Sequence, residues 1–333
     1  MKRCFSFFSV FIVLLLVAVI LYNPKICISA AAQGLILCGK VIIPSLFPFT
    51  FCVLFILKSG ALDSLKIFKA HRQTLSIFLL SLIGGYPLGA KMLSESNINR
   101  KTATAMLNYC VNAGPAFIIL SVGSGVFYSN KIGALLYFSH VLPSVLMAFL
   151  FRKKLAPAAE NKEKAPINPI DNFVLSASGA ASALISICTF VVLFSVICSY
   201  INIFSILKPV SFIFEITNAI NQTRNIYLIS FLLGFGGLCV WCQVFSLAKG
   251  IKINYLTFVL CRLFHGFSSA GITFLLVKIF KITIPTLSNG SFFTYTPFSQ
   301  GGGVGISLII SAIVLIISLT SKNFAGNILE DVI

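Results

Sequence analysis

The sequence predicts an all-α, polytopic membrane helix bundle, and three observations predict it. Of 333 residues, 58% are hydrophobic and only 10% are charged, whereas soluble domains carry about 25% charged residues. Mean hydropathy is +0.99. The apolar residues gather in runs of roughly 18 or more, long enough to cross a hydrocarbon core of about 30 Å at about 1.5 Å per residue. A chain inside that core must satisfy its own backbone, and runs of this length do so as helices rather than as barrel strands.

Taken in chain order, the apolar runs give ten membrane-embedded segments: 5–22, 28–57, 75–93, 103–122, 132–151, 173–199, 203–219, 226–248, 255–279 and 304–319. About eight to ten of these are expected to be membrane segments, some of them broken or re-entrant. One hydrophilic stretch, 153–171, holds Lys, Glu, Asn and three prolines. It divides the chain into an N-terminal helix (1–27), a first repeat (28–152), the cytoplasmic linker itself (153–171), a second repeat (172–281) and a loop with a final helix (282–333). The first apolar run follows Lys2-Arg3 and extends over about 18 residues, longer than the 7 to 15 of a signal peptide. An uncleaved first helix is therefore expected.

The formal net charge is +17, from 25 Lys+Arg against 8 Asp+Glu. These basic residues sit in short loops between apolar runs, as in Lys2-Arg3, Lys66, Lys69 and Arg72, Arg152-Lys153-Lys154, and Lys249 with Lys252. That pattern sets orientation and contacts anionic lipid. Nucleic-acid binding is excluded, because no basic stripe alternates with exposed aromatics. Surplus positive charge also attracts anionic small molecules. If every basic loop faces the cytoplasm, an even number of crossings must separate Arg72 from Arg152, yet three apolar segments lie there. One of them must be re-entrant or broken; the same arithmetic makes 203–219 re-entrant and runs the two repeats through the membrane in opposite directions.

Candidate functional residues are those that an apolar segment would not otherwise carry. Gly84-Gly85-Tyr86-Pro87 interrupts one segment and Gly234-Phe235-Gly236-Gly237 another. Proline removes a donor and glycine loosens the helix, so freed backbone groups must face protein or a water-lined cavity. The two clusters lie about 150 residues apart, and each is trailed by a small, polar stretch: Asn108 to Pro115 in the first half, Arg262 to Gly271 in the second. Weak internal symmetry of this kind is typical of secondary transporters. Glu215, followed by Thr217 and Asn218, is an ionisable group at membrane depth. Asn108, Asn112, Gln243, Arg262 and His265 are further polar groups in apolar sequence. Glu95 reads as a loop or helix-end residue and Lys91 as a snorkelling one.

Enzyme and metal signals are weak. Cys239-Val240-Trp241-Cys242 lacks the further ligands of a zinc site, the histidines His71, His140 and His265 show no paired spacing, and Gly301-Gly302-Gly303 lacks the lysine of a phosphate loop. The ten cysteines fall mostly inside apolar runs, where they act as small apolar residues. No enzyme, metal or cofactor is expected.

Three motifs in each half carry a family resemblance. Ile43-Pro44-Ser45-Leu46-Phe47-Pro48-Phe49, Gly85 to Lys91 and Asn112-Ala113-Gly114-Pro115-Ala116-Phe117, followed by Glu215 to Asn218, Gly234 to Leu238 and Arg262 to Gly266, resemble the YlbJ-type sporulation integral membrane proteins. These lie within the wider group carrying the nucleoside-recognition, or Gate, domain. The resemblance implies transport of a small anionic aromatic metabolite, dipicolinate, during sporulation. The alternatives it leaves are a nucleoside-type transporter and a non-transporting protein of spore-envelope assembly. Val111 stands where the family usually has a polar residue, and Cys239, Trp241 and Cys242 make the second half unusually rich in Cys and Trp. The substrate-binding set so expected is Gly84, Gly85, Pro87, Asn112, Gly114, Glu215, Thr217, Asn218, Gly236, Gly237 and Gln243. The expected partners are the small-molecule substrate and the lipid bilayer, in a multi-pass cell-membrane protein.

Overall fold

The computed structural model describes residues 2–59, 72–96, 98–155 and 168–284. The expectations for the basic loop with Lys66, Lys69 and His71, for most of the linker 153–171, for Gly301 to Gly303 and for the segment 304–319 lie outside the described residues. The other nine segments are all helices or broken helices, and five of them are long and apolar enough to span a membrane.

The first helix, α1 (Lys2–Tyr22), is followed by α2 (Pro24–Leu37) and α3 (Ile43–Lys58). A wider π turn over Cys38–Ile42 joins the last two into one 35-residue span. Pro44 explains the turn: it offers no N–H to the carbonyl four residues back, and its ring crowds that carbonyl. Next come α4 (Arg72–Gly84), α5 (Leu88–Glu95), α6 (Arg100–Leu107), a largely non-helical stretch 108–115, a π-helical run Ala116–Ser124, and α7 (Asn130–Phe151). The second half holds α8 (Pro169–Ile201), α9 (Lys208–Phe214), α10 (Ile216–Gln222), α11 (Ile226–Phe235), α12 (Gly237–Leu247) and α13 (Tyr255–Ile279).

Side-chain caps fix several starts. Asn99, Ser129, Asn168, Asn225 and Asn254 each accept a hydrogen bond from a first-turn amide of the helix that follows, satisfying donors that a helix start leaves unpaired.

Contacts show how the helices run. The α2–α3 span and α8 are antiparallel: at one end Asn172 donates to Phe55 O at 3.1 Å and Lys58 Nζ to Leu175 O at 3.5 Å, while at the other Tyr200 donates to Asn23 O at 2.8 Å. The first of these ends flanks the linker. Thr104 Oγ1 donates to Lys252 O at 2.9 Å, and the Arg152–Lys154 turn packs on α6, so both belong to the linker end. The α4–α5 pair therefore enters and leaves there as a hairpin. The α9–α10 pair enters and leaves at the opposite end, with Ile216, Ala219 and Ile220 packed among Phe127, Ile132 and Ile226. Helices α7 and α13 are antiparallel to each other, since Arg262 meets the turn beyond α6 while Val277 joins the cluster of Phe127 and Ile132.

Each half is thus a long helix, a hairpin, a broken helix and a closing helix, and the second half runs opposite to the first. The correspondence differs from the sequence expectation in register. Ser129 and Asn254 cap equivalent helices, and α7 matches α13 at an offset of 125 residues, the separation of His140 from His265. The Gly85–Pro87 break corresponds to the break at Glu215, and the 108–115 stretch to Gly236-Gly237. Residues Asn108 to Pro115 and Arg262 to Gly271 are therefore contact partners rather than equivalents.

Lys58, Arg152 to Lys154, Lys249 and Lys252 share the linker end, as the loop arithmetic requires. Single cysteines at Lys153 and Lys252, in a background without native cysteines, are expected to react with impermeant maleimide only after the cytoplasmic face is opened. Cysteines at Tyr128 and Lys281 are expected to react from outside; the reverse pattern would invert the orientation.

Candidate functional site

Both hairpin tips end in the middle of the bundle, each against the broken helix of its own repeat. At the first tip Gly85 adopts φ +76° and Tyr86-Pro87 is cis. A methyl on Gly85 would stand 2.9 Å from Gly114 N, and one on Gly114 would stand 3.1 Å from Ile83 O. These two backbones meet glycine to glycine. At Gly84 the added carbon would meet Leu88 Cδ2 at 2.3 Å, so this position holds the turn rather than facing open space. Pro87 precedes α5 as its cap residue.

The second tip is built around an ionisable group. Glu215 is buried, with extended backbone at the junction of α9 and α10, and the Thr217 hydroxyl donates to its carboxylate. Gly236 and Gly237 have φ +86° and +69°, a region that L side chains rarely occupy. A methyl on Gly237 would stand 3.2 Å from Ile213 O and 3.4 Å from Phe214 O. The Glu215 turn is therefore seated directly on the α11–α12 break. Asn218 follows on α10.

The tips also cross between repeats. The Tyr86 hydroxyl donates to Leu233 O, one turn before the second break; within the second repeat, Trp241 Nε1 donates to Phe235 O at 2.8 Å across that break. Asn112, fully buried, donates to Tyr109 O at 2.9 Å and to Ser81 Oγ at 3.4 Å; its Oδ1 has no partner. Gln243 lies on α12 and donates to Cys239 Sγ at 3.3 Å. Of the expected set, Gly85, Pro87, Asn112 and Gly114 meet at the first break, and Glu215, Thr217, Gly236 and Gly237 at the second.

Arg262 occupies the seam between the repeats. It is fully buried and its two Nη groups donate to the carbonyls of Asn108 and Val111, which the end of α6 leaves without helical donors. One turn further along α13, His265 stacks on His140 of α7 with ring centroids 4.4 Å apart and planes at 30°. Along the sequence the histidines show no paired spacing, yet α7 and α13 bring these two into contact. Their signal was present in His140, an ionisable group inside the apolar run 132–151, but spacing along one chain reports only neighbours on the same helix. Lys91, expected to reach the membrane surface, is instead buried and pairs with Glu95 at 2.9 Å. No group of three or more His, Cys, Asp or Glu side chains placed to hold a metal gathers among the described residues.

Among proteins of known name, the chain is 24% identical to the sporulation integral membrane protein YlbJ of Bacillus subtilis (strain 168), across 80% of its own length and 81% of that protein's. It is a YlbJ relative. The relationship agrees with the bundle, and both describe a multi-pass integral membrane protein. No family model matches the chain, and no solved structure matches it. Because the YlbJ relationship extends over most of both chains, it takes in breaks from both repeats rather than one helix pair.

Proposed function

We propose that this YlbJ relative is a carrier rather than an enzyme, moving a small anionic aromatic metabolite of the dipicolinate type across a sporulation-related membrane. The observation that carries the reading is the pair of hairpins that enter from opposite ends and stop mid-bundle, each against a broken helix. Broken backbone at membrane depth is stable only where protein or a water-filled path covers it, and secondary transporters place their substrates at such breaks between inverted repeats. The net charge of +17 favours an anion, and the motif resemblance to the wider nucleoside-recognition (Gate) group is in keeping with a carrier. On this reading Asn112, Thr217, Asn218 and Gln243 complete the site that the glycine breaks open. Glu215, a carboxylate that would repel an anion directly, acts as the proton or gating group.

Uptake of labelled dipicolinate and of a nucleoside into proteoliposomes tests this. Dipicolinate uptake above empty vesicles is expected, with a drop of about tenfold or more in Glu215→Ala and Asn112→Ala, on the scale of losing one charged or buried hydrogen-bonding group. Undiminished uptake in both variants would sink the site assignment. Uptake of the nucleoside alone would transfer the site to a neutral substrate, and uptake of neither would favour a role in envelope assembly.

A further inference from the structure

The seam between α7 and α13 collects polar atoms that the fold leaves without partners. Arg262 Nε, His140 Nδ1, His265 Nδ1, Ser139 Oγ, Ser269 Oγ and Asn112 Oδ1 are all buried without a hydrogen bond. Native interiors pair nearly all such groups, so several at one seam point to a missing partner. The two histidines touch. Arg262 and Ser269 lie three and four residues from His265, on the same face of α13. Asn112 sits between Val111, whose carbonyl Arg262 holds, and Ala113, whose N–H bonds His140.

The polarity of the unpartnered atoms follows from the bonds already made. Ala113 N–H donates to His140 Nε2 at 2.9 Å, so that nitrogen carries the lone pair and the neutral ring keeps its proton on Nδ1. His140 Nδ1–H is therefore a free donor. His265 Nε2 lies 2.8 Å from His140 O, an acceptor, so His265 donates there and serves to hold the partner ring in position. Arg262 Nε–H is a second free donor, on a side chain whose charge meets backbone carbonyls and one aromatic face. Among the described residues the ion pair is Lys91 with Glu95, and no described carboxylate contacts Arg262. A fully buried guanidinium without a counter-charge is costly, and its own free Nε–H together with His140 Nδ1–H matches an anionic oxygen acceptor.

We propose that Arg262 and His140 bind the carboxylate of the transported anion at the seam between the two repeats. The inference rests on the transport reading above and gives that reading its charge-recognising residues, which the expected substrate-binding set does not contain. None of the free donors has appreciable surface in this conformation. The carboxylate reaches them when the 108–115 stretch and the Tyr86 tip draw back from α13, and it then replaces the Asn108 and Val111 carbonyls as the acceptor for the guanidinium. Binding and opening are thereby one exchange of acceptors.

Purified protein in nanodiscs, titrated calorimetrically with dipicolinate and with its uncharged diamide, separates recognition from scaffolding. The wild type is expected to prefer the diacid by about tenfold or more, the value of a charge-assisted hydrogen bond. Arg262→Gln is expected to abolish that preference while leaving the diamide affinity in place; a purely structural role would lower both together. His140→Gln is expected to weaken diacid binding several-fold without affecting the diamide, and it carries the test if Arg262→Gln does not fold. Equal affinity of the wild type for the two compounds, or a preference surviving in Arg262→Gln or undiminished in His140→Gln, overturns the assignment. Proteoliposomes of the same wild-type protein distinguish the two failures. Dipicolinate uptake without an Arg262-dependent preference defeats this inference alone, and absence of uptake defeats the transport reading with it.

Discussion

Gly89→Ala is expected to yield no monodisperse protein after extraction. The added carbon would stand 1.8 Å from the carbonyl oxygen of Cys110 and 2.9 Å from its carbon, far inside any tolerable contact. The close obstacle is the Cys110 carbonyl, which is backbone, so no side chain can swing away to relieve it. Cys110 itself is held by its own N–H to Met106 O at 2.8 Å, and Ser81 Cβ stands 3.2 Å from the new carbon on the far side. Relief requires the α4–α5 hairpin to slide out of the bundle. That would separate Gly85 from Gly114 and expose an apolar cluster that includes Leu88, Ala90, Met92 and Leu93. The cost is above about 4 kcal/mol, in the range reserved for severe overpacking. Size-exclusion profiles of the variant beside wild type are the measurement, and a sharp wild-type peak from Gly89→Ala would show that the hairpin is not seated as described.

Gly266→Ala is expected to be the second most damaging change, through a different surface. Helices α11 and α13 pack with Gly234 against Gly266: a methyl at 266 would stand 2.8 Å from Phe231 O and 2.9 Å from the Phe231 ring, and one at 234 would stand 2.8 Å from Gly266 Cα. Small residues let membrane helices approach this closely, where packing rather than hydrophobic burial holds them together. Forcing them apart also stretches the Ser230–Thr273 hydroxyl bond, 2.8 Å, along the same face. Because Gly266 follows His265, the shift carries the ring away from His140. We expect a loss of about 2 to 3 kcal/mol, read as a fall in the thermal midpoint in detergent. Gly271→Ala, where an added carbon meets nothing within 4 Å, is the control and should be neutral.

Much of this architecture was legible in the residues. Apolar run length located the helices, because the bilayer fixes the length of a crossing. Gly85, Pro87, Gly236 and Gly237 marked the breaks because the backbone there needs a left-handed turn or lacks a donor. What the residues did not disclose was pairing. A glycine cluster reports local freedom and nothing about which element lies against it, so the Gly84 and Gly234 clusters looked equivalent at an offset near 150. In the fold the first turns back as a hairpin and the second continues through as a broken helix. Glu215, the true counterpart of the first tip, contains no glycine at all. Arg262 and His265 stood out as polar groups in apolar sequence, but their partners Asn108, Val111 and His140 are more than 120 residues away, beyond the reach of any spacing rule.

The long pair formed by α2–α3 and α8 has a mechanical meaning. Spans of 35 and 33 residues reach about 50 Å, well beyond a hydrocarbon core of about 30 Å. They are fastened to each other at both extremities, through Asn172 and Lys58 at one and Tyr200 at the other. Excess length of this kind is taken up by tilting, and two struts joined at both ends must tilt as one body. A change in bilayer thickness is therefore expected to tilt this brace as one unit.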